Sequence, residues 1–311
     1  MAQTRLRAVP WSPVTTVAPQ GTPTRSTLAA YVALTKPRII ELLLITTVPT
    51  MIVAQRGWPS IWLMVATVVG GTFAAGGANA VNMYVDRDID KIMNRTKGRP
   101  LATGEIEPRN ALIFSVALLV IAFVWLTNFV NLLSAVFALS AAAFYIFIYT
   151  LWLKRTSTQN IVIGGAAGCM PVLVGWAAVT NSVGWEPIVL FGVIFLWTPP
   201  HFWALAVKYR EDYSAADVPM LPSVTTLEST AKQILAYTLA VWALSLAFTP
   251  IASMGWIYTL TAVAAGGLFT YYAVALLRDP TPKRAMTMFT FSITYLSVLF
   301  IAMAVDQLVL A

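Results

Sequence analysis

An all-α, polytopic membrane fold of about nine spanning helices follows from composition, apolar run length and charge placement. The chain has 311 residues, of which 58% are hydrophobic and 11% charged, and its mean hydropathy is +0.74. The apolar residues fall in repeated runs of about 20, long enough for a helix to cross about 30 Å of hydrocarbon. Formal charge is +7, which in a membrane chain reports topology rather than nucleic-acid binding. The lone cysteine, Cys169, excludes an internal disulfide, a Cys-based zinc site and covalent haem attachment. It reads as a small buried apolar residue.

Residues 1 to about 30 carry Arg5, Arg7 and Arg25, four prolines and no acid. They read as a disordered basic cytoplasmic tail. The composition is similar to an organellar transit peptide, but the prolines interrupt an amphipathic helix. The rest, 31–311, forms one nine-helix domain. Apolar runs and their breakers predict spans over 38–55, 61–85, 110–128, 131–153, 160–180, 187–208, 233–252, 255–277 and 287–308. Glycines at 70, 71, 76, 77, 164, 165 and 168 suit close helix approach. If the N-terminus is cytoplasmic, nineteen of the twenty lysines and arginines fall inside, and only Arg56 falls outside. Miscounting one helix would scramble that bias.

Asn79–Leu101 holds Asp86, Asp88 and Asp90, three of thirteen acidic residues, and runs into Lys91, Arg95, Lys97 and Arg99. Asn82, Asp86 and Asp90 recur at i, i+4 and i+8, within an arc of about 80° on a continuing helix, while Asp88 points away. Two carboxylates and an amide oxygen suit Mg²⁺, which takes one or two protein carboxylates plus phosphate and water. The bland alternative is a solvated helix end with local ion pairs; ionisable groups near membrane depth favour a site. A second polar island, 208–222, lies on the same side and offers Asp212 as a further ligand, with Glu211 and Asp217 behind it. Lys36 and Arg38 before the first span, and Lys154 and Arg155 after the fourth, complete a cationic wall for a diphosphate or serve only as topology signals and local pairs. His201, the chain's one histidine, sits in Thr198-Pro-Pro-His-Phe-Trp203, where the prolines should distort the helix. It fits a haem-iron ligand, a general base or a hydrogen-bonded core residue.

The Asn82-x-x-x-Asp86-x-x-x-Asp90 pattern on the second of nine helices resembles the first aspartate-rich motif of the UbiA-type intramembrane prenyltransferases. LTKPRI at 34–39, NRTKGRPL at 94–101, NIVIGGAAGCMPVLVGW at 160–176, TPPHFW at 198–203 and DYSAADVPMLP at 212–222 resemble the haem-farnesylating branch of that family. The resemblance runs from about residue 30 to 308. It implies a UbiA-type bundle, and the short N-terminal tail favours the inner membrane of a bacterium over the mitochondrial inner membrane. The resemblance also implies Mg²⁺-dependent transfer of a farnesyl group from farnesyl diphosphate to a vinyl group of haem B, giving haem O, and a haem A synthase that takes the product. Asn82, Asp86, Asp90 and Asp212 would then be the catalytic metal-diphosphate set. Lys36, Arg38, Arg95, Lys97, Arg99, Lys154 and Arg155 would bind the diphosphate, and His201 the haem. The second motif departs from the family pattern, because position 208, four before Asp212, is lysine. One Mg²⁺ rather than two then becomes plausible. Two readings compete with haem farnesylation: prenylation of a quinone precursor or other aromatic acceptor, and an ion-coupled transporter.

Overall fold

The computed structural model describes residues 25–310, apart from the side chains of 38–44 and 310. Regular structure among the described residues is helical throughout. A short helix, α1 (Thr27–Leu34), leads into α2 (Pro37–Gln55) and α3 (Ile61–Val85). The site segment carries α4 (Arg87–Ile92) and α5 (Pro100–Thr103). Then come α6 (Pro108–Phe129), α7 (Leu132–Thr156), α8 (Asn160–Thr180) and α9 (Trp185–Lys208). After α10 (Arg210–Ala215) and α11 (Leu221–Val224), the chain closes with α12 (Leu227–Ile251), α13 (Trp256–Arg278) and α14 (Pro282–Leu310). Eight of these are long and apolar enough to cross a membrane, and α2, with its apolar Ile45–Gln55, is the shorter ninth.

The nine long helices close into a ring in chain order, each packed on the next, with α14 returning to α2. Side chains between them are chosen for close fit, because lipid offers apolar groups as good a solvent as protein does. The largest buried cluster joins α8, α9, α12, α13 and α14 around Trp203, Phe248, Phe269 and Tyr295. Valines and phenylalanines such as Val120, Phe123 and Val263 face outward. Buried hydroxyls of Thr50, Thr67, Ser115, Thr198, Thr238 and Ser245 each donate to the carbonyl four residues earlier, which satisfies these six donors within their own helices. Of the predicted close-approach glycines, Gly70, Gly76 and Gly77 face α6 or Thr35, and Gly164 and Gly165 face Tyr149 and Thr198. Gly71 and Gly168 have open space around them.

Several boundaries differ from the sequence reading. Helix α1 begins at Thr27, inside the segment read as tail, because Ser26 Oγ caps it by accepting from Ala29 N at 3.3 Å. Residues 1–24 lie outside the described residues. Helix α12 starts at Leu227 rather than 233, since Thr226 caps Ser229 N at 3.1 Å and Glu228 pairs with Lys232 at 2.7 Å. Helix α14 starts at Pro282 rather than 287, with proline at a position where no amide donor is needed. Helix α9 continues through Pro199 and Pro200, both buried. The Phe144–Leu153 stretch of α7 is wound as a π-helix, a form that apolar periodicity does not announce. Its wider turns show in Lys154 N bonding to Tyr149 O and Thr150 Oγ1 bonding to Tyr145 O, both five residues back.

Because short connections join successive spans, the helices alternate in direction. One end of the ring gathers Lys36, 86–107, 154–160, 208–226 and 279–281. The other gathers Trp58, Trp62, Trp185 and Trp256, all exposed, where amphipathic rings favour a membrane–water interface. At that end Asp306 caps α13, accepting from Gly255 N at 2.5 Å and Tyr258 N at 3.0 Å.

Candidate active site

The helical hydrogen bonding of α3 passes through Asp86 into α4: Asp86 N bonds Asn82 O and Asp90 N bonds Asp86 O, each at 2.9 Å. Asn82, Asp86 and Asp90 therefore share a face, and all three are at most 2% exposed. Asp88, on the other side, is exposed. Burying two carboxylates is costly without partners, and the partners come from elsewhere in the chain. Lys154, at the end of α7, pairs with Asp86. Arg99 takes both oxygens of Asp90 at 2.8 Å. Lys36 Nζ donates to Asn82 Oδ1 at 2.8 Å, and Asn82 Nδ2 donates to Asp86 Oδ2 at 2.7 Å and to Thr150 Oγ1 at 3.1 Å.

Lys36 holds a left-handed backbone, φ 53°, which a residue with a side chain adopts at a cost of about 1 kcal/mol. Proline at 37 starts α2 immediately after it, and Asn79 Nδ2 fixes the preceding carbonyl, Thr35 O, at 3.2 Å. The bend delivers the ammonium to Asn82. Burial of that ammonium, then the charges of Arg99 and Lys154, hold it well below the ordinary lysine range. Three cations thus meet two carboxylates, a surplus of positive charge suited to an anion.

The other predicted groups divide between two neighbouring clusters. Arg155 makes a two-point bond to Asp88 at 2.7 Å and comes within 3.8 Å of Asp86. This guanidinium holds Asp88 down to about 2. A groove of about 390 Å³, lined by Val85, Arg87, Asp88, Thr150, Leu151 and Arg155, opens beside that pair. Asp212, in the first turn of α10, accepts from Asn94 Nδ2 at 3.2 Å and from Arg95 N at 3.1 Å. The two acidic islands are therefore tied together by hydrogen bonds. Arg95 lies against the rings of Tyr209 and Tyr213, 5.6 and 5.9 Å away, and Lys97 Nζ turns to Asn94 Oδ1 at 3.0 Å. The Arg38 side chain lies outside the described residues.

Oxygen donors from Asn82, Asp86 and Asp90 suit a hard cation. Among the described residues no three carboxylate, histidine or cysteine side chains form a ready-made metal cage. A sign of fit is Asp86 Oδ1, buried without a hydrogen bond among the described residues and with Arg155 Nη2 no nearer than 3.8 Å; a closer cation or donor would satisfy it.

His201 lies about 10 Å along α9 from Lys208, taking the rise of an α-helix. Its ring stacks on Trp197 with centroids 4.3 Å apart and tilts against Phe289 at 4.7 Å. Its Nδ1 meets Ser292 Oγ at 2.6 Å. Sequence reasoning missed Ser292, Thr150 and Asn94. Thr150 had one signal, its place four residues before Lys154; Ser292 had none, being a serine in an apolar run.

The family model for the UbiA prenyltransferase family matches residues 43–302. A relative from Clavibacter michiganensis subsp. michiganensis, named protoheme IX farnesyltransferase, is 53% identical over 284 residues, covering 90% of this chain and 92% of its own. The fold is similar to that of a digeranylgeranylglyceryl phosphate synthase (TM-score 0.75, 20% identical, covering 90% of this chain and 98% of that one). It is also similar to a UbiA homolog from Archaeoglobus fulgidus bound to DMAPP and Mg²⁺ (TM-score 0.59, 16% identical, covering 89% and 99%). A nine-helix ring, an acidic face ringed by cations and a match over most of the chain converge: this protein belongs to the UbiA prenyltransferase family and is a membrane-spanning prenyltransferase.

Proposed function

We propose that this protein transfers the farnesyl group of farnesyl diphosphate to a vinyl group of haem B, producing haem O. The observation that carries the reading is the 53% identity, along nine-tenths of the chain, with a protein named protoheme IX farnesyltransferase. Asn82, Asp86 and Asp90, with Asp212 from the adjoining loop, would hold Mg²⁺, which supplies positive charge to the diphosphate. Asp86 Oδ1, without a hydrogen bond among the described residues, and the Mg²⁺ in the A. fulgidus homolog support this.

In the reaction the C1–O bond of the prenyl diphosphate breaks and diphosphate leaves with the electron pair. Lys36, Arg99 and Lys154 stabilise the charge that builds on it, and a site this poor in water strengthens their effect. Arg95 and Lys97 extend the positive surface towards Asp212. The vinyl π electrons form the new carbon–carbon bond, and water captures the resulting cation and gives up a proton. His201, deeper along α9, is the haem-facing group. The site end of the ring is cytoplasmic and the membrane is the bacterial inner membrane, a reading supported by the basic bias of that end.

Purified protein supplied with farnesyl diphosphate, Mg²⁺ and either haem B or 4-hydroxybenzoate tests the proposal by chromatography and mass spectrometry. The expected product is haem B gaining a farnesyl group and a hydroxyl group, together the elements of farnesol. Prenylation of the benzoate with haem B untouched would assign the enzyme to an aromatic acceptor instead.

A further inference from the structure

Ser292, on α14, lies outside every motif singled out in the sequence, yet it is fully buried and meets the chain's one histidine. The direction of that hydrogen bond can be settled. Ser292 Oγ lies 2.6 Å from Phe289 O, and a carbonyl only accepts, so the hydroxyl proton is spent there. Ser292 Oγ then faces His201 Nδ1, 2.6 Å away, with lone pairs alone, and the ring nitrogen must be the donor. A neutral imidazole carries one N–H; with it on Nδ1, Nε2 keeps its lone pair. Nε2 makes no hydrogen bond within the described residues.

The ring cannot easily turn to exchange its nitrogens. Trp197 covers one face at 4.3 Å and Phe289 lies at 4.7 Å, with Phe202 edge-on at 5.2 Å. Trp197 is itself pinned to the same serine, its Nε1 donating to Ser292 O at 2.8 Å. Backbone and side chain of one residue thus fix both the histidine and the ring stacked on it.

We propose that Ser292 is a positioning residue that locks His201 as the Nδ1–H tautomer and presents an unprotonated Nε2 to the acceptor substrate. Such a nitrogen can coordinate the iron of a metalloporphyrin or accept a proton, and the opposite tautomer can do neither from that edge. The tautomer assignment stands on geometry alone; its functional consequence rests on the haem reading of His201.

The experiment uses full-length protein in detergent, labelled with ¹⁵N-histidine. With one histidine in the chain, each ring nitrogen gives a single resonance. Wild type is expected to show a protonated Nδ1 and a bare Nε2, and Ser292→Ala a mixture or a switch to Nε2–H. Titration with haem B, followed by its Soret band, is expected to show Ser292→Ala binding about tenfold more weakly. Ser292→Thr, which keeps the hydroxyl, should restore both readouts, and thermal unfolding of each variant separates these effects from loss of fold. A protonated Nε2 in wild type, or an unchanged tautomer in Ser292→Ala, would overturn the proposal. If His201→Ala binds haem B as tightly as wild type while the tautomer data hold, the serine–histidine lock stands and the haem reading of His201 fails.

Discussion

At the scale of single residues, Asp86 and Asp90 are buried carboxylates, each paired with a cation, and Asp86 also accepts from Asn82. Replacing either with Asn keeps shape and removes charge. Turnover should fall about a hundredfold or more, the scale of losing one group that stabilises a leaving anion, as measured by diphosphate release; unchanged turnover in both variants would remove them from the mechanism. Lys36 makes a pH-dependent prediction. Its folded-state pKa lies below its ordinary value, so between those two values the unfolded chain binds more protons and stability rises with pH. An anion bound beside it raises that pKa again. At a pH between its free and anion-bound pKa, binding of inorganic diphosphate should take up a proton, read as a binding enthalpy that varies with buffer ionisation enthalpy. Lys36→Met should abolish that dependence. The shared face of Asn82, Asp86 and Asp90 was legible in the sequence because helical period alone creates it. The pairing of Arg99 with Asp90, nine residues on, was not, because the irregular turns of 93–99 intervene.

At the scale of helices, the contact of α3 with α6 depends on a backbone without side chains at its centre. A Cβ on Gly77 would lie 2.9 Å from Ser115 O and from Leu119 Cγ, whereas one on Gly71 would meet nothing within 4 Å. Gly77→Ala should destabilise the fold by about 1–3 kcal/mol through overpacking. Gly71→Ala should be neutral or slightly stabilising, since alanine is the better helix former. Thermal unfolding in detergent compares the pair, and equal melting temperatures would show that α3 and α6 separate without cost. Helix existence and most boundaries could be read from apolar runs bounded by Pro, Gly and charge. The misses at α12 and α14 share one cause: a capped or proline-led first turn is polar, and hydropathy reads it as loop.

At the scale of the whole molecule, the ring sorts its charges and tryptophans to opposite ends. Cys169 is buried and is the only cysteine, so an introduced cysteine reports its own side of the membrane. Ser157→Cys, at the site end, should react with an impermeant maleimide only when the cytoplasmic face is open. Ser182→Cys, at the other end, should react in intact cells; the reverse pattern would invert the proposed orientation. The distribution of arginine and lysine carried this topology in the sequence. What no linear pattern carried was the union of Lys36, from the bend before α2, with Asn82 of α3 and Thr150 of α7.

The π-wound stretch of α7 sets the angular phase of everything after it. Each wide turn holds more residues than an α turn, so side chains beyond Leu153 come round later than regular α spacing, at about 100° per residue, would bring them. Lys154 and Arg155 owe their bearing on Asp86 and Asp88 to that lag. Deleting one residue within 144–153 would let the segment relax to α geometry and still leave a span of membrane-crossing length. It would also swing the two cations round the helix, away from the carboxylates. The stretch works as a phase shifter, and it couples the length of one helix to the charge balance of a site beyond its end.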